Sequence, residues 1–322
     1  MSEQKFENYG GKPLGSFKRR LVFSLAAGLA VFAVLSIYAD VEQVGHALAQ
    51  FGWGYVPLIL LLTISNYLLR FCKWHFYLRS IGIAIGCRDS MVIFFSGLTM
   101  SVTPAKLGEV FKSYLLKRLN GTEVSRSVPV VLAERATDVL SLIVLAAISF
   151  SALEYGLEVL IAVLAVLLIP IVLLQSRRIC IRLLEALKSL PLLARLSDSL
   201  ITAYESAYAL FRLRILLVAL SISVISWGFE CLAMYYVLLG FGVEASLPLS
   251  TFVFSFSSLA GAISMIPGGL AVAEGSFAGL LILSGFAREI AAGATVLIRF
   301  CTLWFGVMLG AVTLLLFRNR FA

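Results

Sequence analysis

The chain has 322 residues, 60% of them hydrophobic and only 14% charged, with a mean hydropathy of +0.98. Soluble domains run roughly 45–50% apolar and about 25% charged, so this composition excludes a water-soluble enzyme and predicts an all-α polytopic membrane protein. The net charge of +8 reads as basic residues on the cytoplasmic side of spans, not as nucleic-acid binding.

Residues 1–20 are polar, hold Gly10, Gly11, Pro13 and Gly15, and end in Lys18-Arg19-Arg20, which predicts a cytoplasmic tail with a basic edge. Leu21–Tyr38 is apolar, too long for a signal-peptide core and without its cleavage site, and predicts a first span. Phe51–Phe71 is the second, closed by Arg70, Lys73 and Arg79. Arg70 and Lys73 read either as ordinary cytoplasmic flanking charge or as a first contact for an anionic head group.

Met91–Val102 is apolar but too short to cross, because a span needs about 20 residues. After it, Ser101–Asp138 (SVTPAKLGEVFKSYLLKRLNGTEVSRSVPVVLAERATD) brings polar chemistry into the apolar chain. Pro104 removes a backbone donor and Gly108 loosens the next turn. Irregular backbone at membrane depth survives only inside protein or along a cavity. Lys106, Glu109, Lys112, Glu134, Arg135 and Asp138 supply three positive and three negative charges. Each costs about 2.5–3.5 kcal/mol at a bilayer centre, so they are expected to face protein or water and to mark a pathway. A half-helix from Pro104 to Leu116 would complete a re-entrant hairpin. Val128–Phe150 is the third span; on it Glu134, Arg135 and Asp138 share one face. Glu109 is the expected partner of Arg135, and Lys112 that of Asp138. The cluster reads both as a head-group site and as an ion-pair network pinning the hairpin.

Leu157–Leu174 is the fourth span, and 179–212 predicts two amphipathic helices on the cytoplasmic surface. Ile215–Leu239 is the fifth span and holds Glu230. Leu249–Phe286 is again two short apolar halves, split by Pro267-Gly268-Gly269. Thr295–Phe317 is the sixth span and holds Arg299, for which Glu230 and Glu274 are the candidate partners; pairing and substrate binding are both open. Residues 318–322 form a cytoplasmic end. With both termini inside, the external segments 39–50, 151–156, 240–248 and 286–292 hold one basic residue, Arg288, of 26.

The two broken hairpins resemble each other. Ser101-x-x-Pro104-x-x-Leu107 aligns with Ser264-x-x-Pro267-x-x-Leu270, and Arg135 and Arg299 follow their prolines at 31 and 32 residues. Three full spans separate the starts of the units, 51–150 and 213–317, and an odd number inverts the second. Inverted repeats of broken helices that meet at mid-membrane are a transporter architecture. Half-helix N-termini in the middle suit an anionic group such as phosphate. The expectation is one membrane domain, 21–317, of six full spans and two re-entrant hairpins in an inverted repeat. Ser101, Thr103, Pro104, Pro267 and Gly268 shape its site, together with the charged residues named above.

The five cysteines, Cys72, Cys87, Cys180, Cys231 and Cys301, fit no metal motif, and His46 and His75 lie far apart. A Walker-type loop is absent. No metal or cofactor is expected. Gly306-Val-Met-Leu-Gly310 predicts close helix packing within the chain.

SVTPAKLGEVFKSYLLKR followed by VPVVLAERATDVLSL, and later SMIPGGLAVAEG, resembles the flippase-like transmembrane family. That family includes the membrane region of lysylphosphatidylglycerol synthases and stand-alone bacterial and archaeal proteins. The resemblance covers roughly residues 20–317 and rests on P-x-x-x-GE together with ER-x-x-D. It implies movement, between the leaflets of the cell membrane, of a lipid with a polar head group. Aminoacyl phospholipids, polyisoprenyl-phosphate sugars and hopanoid-type lipids are the cargo classes. The chain lacks the synthases' soluble aminoacyl-transferase domain, so only the membrane-moving half of that job is expected, with a separate glycosyl- or aminoacyl-transferase as partner. Glu109, Asp138 and Glu230 are candidates for proton coupling. The rival expectations are an integral-membrane enzyme working on a lipid phosphate with Glu109 and Asp138 as acid and base, and an accessory subunit of a transferase.

Overall fold

The computed structural model describes residues 41–103, 109–152 and 205–320. The predicted tail, the first and fourth spans, the C-terminal Phe321 and Ala322, most of the 179–212 stretch and the break at 104–108, with Pro104 and Lys106, lie outside these residues. Among the described residues every regular element is helical.

A short helix, α1 (Val41–Ala49), occupies the first segment expected to be an external connection. Its Val44 and Leu48 pack on Ala292. After a 3-10 turn at Trp53–Tyr55 comes α2 (Val56–Ser80), with proline in its first turn, where the missing N–H costs nothing. This helix runs nine residues beyond the predicted end of the second span at Phe71. The stripe Phe71, Trp74, Tyr77 and Leu78 is buried and carries the helix onward. Arg70 and Lys73 therefore lie within the helix, not at its cytoplasmic edge.

Two short helices follow, α3 (Cys87–Gly97, extended by a 3-10 turn at Leu98–Met100) and α4 (Phe111–Asn120). Then α5 (Val124–Ala152) runs for 29 residues, about 43 Å at 1.5 Å per residue. The second unit repeats the order. Its long helix α6 (Leu213–Gly240) leads to α7 (Leu247–Ile263), whose N-cap Ser246 accepts a hydrogen bond from the Leu249 amide at 3.2 Å. A 3-10 turn at Pro267–Gly269 breaks the chain before α8 (Val272–Leu283). The last rod is α9 (Arg288–Arg299), a π-helical turn at Phe300–Trp304, and α10 (Phe305–Leu316). It begins at Arg288, seven residues before the predicted start of the sixth span, because 288–294 continues the helix instead of forming a loop.

Among the described residues, three helical runs are long and apolar enough to cross a membrane: 53–80, 213–240 and 288–316. They correspond to the second, fifth and sixth predicted spans. The helix α5 matches them in length and carries the charge cluster.

The two units interlock reciprocally. The first long helices, α2 and α6, run antiparallel: Tyr55 stacks on Tyr236, Thr63 reaches Glu230, and Lys73 reaches Ser223. The final long helix of each unit lies on the first short helix of the other, α5 against α7 and α10 against α3. Gly310 faces the main chain of Phe95–Thr99 and Gly306 faces Tyr67, so a side chain at either would collide. The glycine pair thus serves close packing within the chain.

Candidate functional site

The first unit gathers seven charged side chains at the junction of α2, α4 and α5. Asp138 receives Lys73 at 2.5 Å and Arg135 at 2.8 Å. Glu134 receives Lys112 at 2.5 Å and Arg135 at 3.0 Å. Glu109, just before α4, lies 3.3 Å from both Lys112 and Arg135. The expected Glu109–Arg135 pair is therefore present. Lys112, however, serves Glu134 and Glu109, not Asp138; Asp138 is taken by Lys73, one turn further along α2 than Arg70.

All seven are buried or nearly so, with Lys73 and Glu134 at 0% exposure and Arg135 the most open at 18%. Burying one such charge without a partner costs several kcal/mol, which is why the network closes on itself. Lys73 also donates to Ser223 and Thr137, and Lys112 sits over the Trp74 ring at 4.7 Å. Arg70 is held more loosely. It stands 3.7 Å from Glu134 and 3.8 Å from Asp138, stacks over Trp227, and its Nε has no hydrogen-bond partner. Four cations face three carboxylates, so the cluster carries one excess positive charge.

The second unit is sparser. Arg299 donates to Glu274 at 2.7 Å and to the Gly268 carbonyl at 2.6 Å. The Arg299–Glu230 pairing considered from sequence does not form. Glu230 instead accepts a long hydrogen bond from Thr63 at 3.4 Å. Arg299 and Glu274 mirror Arg135 and Glu109: in each unit an arginine on the long final helix grips a glutamate at the start of the second short helix, just before α4 in one and in the first turn of α8 in the other. Around the break, Met265, Gly268, Gly269 and Ala271 all have φ between +56° and +69°. Two of these are not glycine, and each costs about 1–3 kcal/mol unless its surroundings enforce it. Gly269 touches the backbone of Gly261, where a side chain has no room. The bond from Arg299 to the Gly268 carbonyl is one of the enforcing contacts.

Between the two clusters lies a cavity of about 190 Å³. Arg70, Arg135 and Asp138 enter its wall from the first unit, and Glu230, Gly268 and Arg299 from the second. Ser101 also lines it, while Trp227, Phe254, Phe277 and Leu303 make its apolar side. Thr103 does not line it; it is buried and donates to the Met100 carbonyl at 2.6 Å. Pro267 opens the 3-10 turn, and only the glycines after it reach the wall. Glu109, Glu134 and Glu274 stand behind the wall and hold the arginines, while Lys73 and Lys112, also behind it, pair with the carboxylates.

Asn66, Tyr67 and Trp227 line the cavity and were not singled out from sequence. Asn66 donates to the Ser226 carbonyl, and Tyr67 donates to the Thr302 carbonyl at 2.6 Å, inside the π-helical turn. A signal existed for Asn66 alone. Thr63, Asn66, Arg70 and Lys73 form a polar stripe at helical spacing within an apolar run.

Residues 25–310 match the family model described as the lysylphosphatidylglycerol synthase TM region. A UPF0104 membrane protein of Methanothermobacter thermautotrophicus is 27% identical over 93% of this chain and 93% of its own length. Another from Pyrococcus horikoshii is 24% identical over 91% of this chain and 95% of its own. One from Methanocaldococcus jannaschii is 25% identical over 66% and 91%. With its helices, its interlocked units and this match over most of its length, the chain belongs to the family of the lysylphosphatidylglycerol synthase transmembrane region.

Proposed function

We propose that the chain moves a lipid with an anionic, phosphate-bearing head group between leaflets, as a flippase or scramblase. The observation that carries this reading is the cavity: three arginines, Arg70 and Arg135 from one unit and Arg299 from the other, share its wall with aromatic side chains. Guanidinium groups match phosphate geometry, and they keep their charge at any physiological pH. The excess positive charge of the first cluster offsets the desolvation of one incoming anion. The apolar side suits the start of an acyl or isoprenyl chain.

In this reading the short helix pairs are re-entrant hairpins, entering from opposite leaflets, and both termini are cytoplasmic. The antiparallel α2–α6 pair and the reciprocal packing support the inverted arrangement. The chain shifts its cargo without altering it, and a separate glycosyl- or aminoacyl-transferase supplies that cargo.

The test is movement of labelled lipids, including an aminoacyl phospholipid and a polyisoprenyl phosphate, in vesicles holding the purified protein. Arg135→Ala is expected to abolish movement while the protein still folds and inserts, because Arg70, Lys73 and Lys112 still balance the three carboxylates. A chemically changed lipid would point to an enzyme instead. No movement and no change would point to an accessory subunit.

A further inference from the structure

This inference rests on the lipid-carrier reading and concerns Glu230. Five carboxylates are buried among the described residues: Glu109, Glu134, Asp138, Glu230 and Glu274. Four of them have a guanidinium or ammonium nitrogen at 3.3 Å or closer. Glu230 is the exception. It is 3% exposed, lies on the cavity wall, and meets only the Thr63 hydroxyl at 3.4 Å. An ionised carboxylate so placed would lose its hydration without a charge or a full set of donors to replace it. A neutral carboxylic acid needs neither.

The charged and titratable groups around it are few. Arg70 and Tyr67 face it from α2, Asp138 and Arg135 from α5, and Arg299 and Cys301 from the final rod. From α7, which carries no charged residue, come Phe254 and Ser258. Arg70 is the one cation of the first cluster held beyond hydrogen-bonding distance of its carboxylates, and its Nε is unpartnered.

We propose that Glu230 is a proton-binding site that gates the anion site of the cavity. With its proton on, Glu230 is neutral and Arg70 stays available to an incoming phosphate. With its proton off, the new carboxylate draws Arg70 across the cavity and repels the anion. Proton and anionic head group thus bind together, and by linkage each strengthens the other. Two opposite charges crossing as one neutral unit also avoid the cost of carrying a net charge through hydrocarbon. The lipid would follow the proton and collect in the leaflet on the alkaline side.

The experiment has two parts. Infrared difference spectra of the purified full chain in phosphatidylcholine vesicles, recorded between alkaline and acid pH, should show a protonated-carboxyl band that Glu230→Gln removes. A band that persists unchanged in E230Q overturns the proposal. The protein is then placed in vesicles containing labelled phosphatidylglycerol under an imposed pH gradient. Wild type should build an asymmetry of the label. E230Q should move it only toward equal distribution, and Glu230→Asp should restore the asymmetry. Asymmetry retained by E230Q, or no movement at all by a folded E230Q, overturns the proposal. If neither protein moves the label but the band is still lost in E230Q, the proton site stands and the carrier reading fails.

Discussion

The two units build the same arginine–glutamate pair into different surroundings. In the first, Arg135 and Glu109 belong to a closed network of seven charges. In the second, Arg299 and Glu274 stand almost alone and support a strained break, while Glu230 is left with a hydroxyl. Where charges share partners, most losses are taken up by the rest of the network, and only a group with a single carboxylate, as Lys73 has in Asp138, is stranded. Where a pair is isolated, its loss stays local. One half of the molecule is thus built for rigidity and the other for change.

The comparison breaks most directly at Asp138. Asp138→Ala leaves the fully buried Lys73 without its carboxylate, and a loss of about 3–5 kcal/mol is expected in thermal unfolding of the detergent-solubilised protein. Glu274→Ala should cost less, about 1.5–3 kcal/mol, since Arg299 keeps the Gly268 carbonyl and is 14% exposed. Equal losses would erase the distinction between the units. A double-mutant cycle on Glu109 and Arg135 sharpens it further. Coupling of about 0.5–3 kcal/mol is expected for residues sharing a network, and strict additivity would show that the 3.3 Å contact carries no energy. The smallest effect belongs to the exposed pair Arg320–Asp89, at 2.6 Å. Asp89→Asn should change stability by less than about 1 kcal/mol, because solvent screens both groups.

Much of this was legible beforehand. Helical spacing put Glu134, Arg135 and Asp138 on one face, and opposite charge across hairpin and span made Glu109 the expected partner of Arg135 and Glu274 a candidate for Arg299. Depth was harder to read. A basic residue that flanks a span and one buried inside a longer helix have the same composition around them, so Arg70 and Lys73 looked like an edge. Lys112 went to the wrong carboxylate because the choice between Glu134 and Asp138 depends on the rotation of α4 about its axis, which no periodicity fixes. Asn66, Tyr67 and Trp227 carry no charge to draw notice, and only the antiparallel crossing of α2 and α6 brings them to the wall.

At Gly310 the final rod meets the main chain of Phe95–Thr99 with no side chain between them. Side chains can switch rotamer to take up a displacement; two backbones in contact cannot. A tilt of the rod is therefore handed on undiminished to Thr99, two residues from Ser101 on the cavity wall. Slack has to come from elsewhere in the rod, and the wider π-helical turn at Phe300–Trp304, directly after Arg299, is the joint where its regular α-helical bonding gives way.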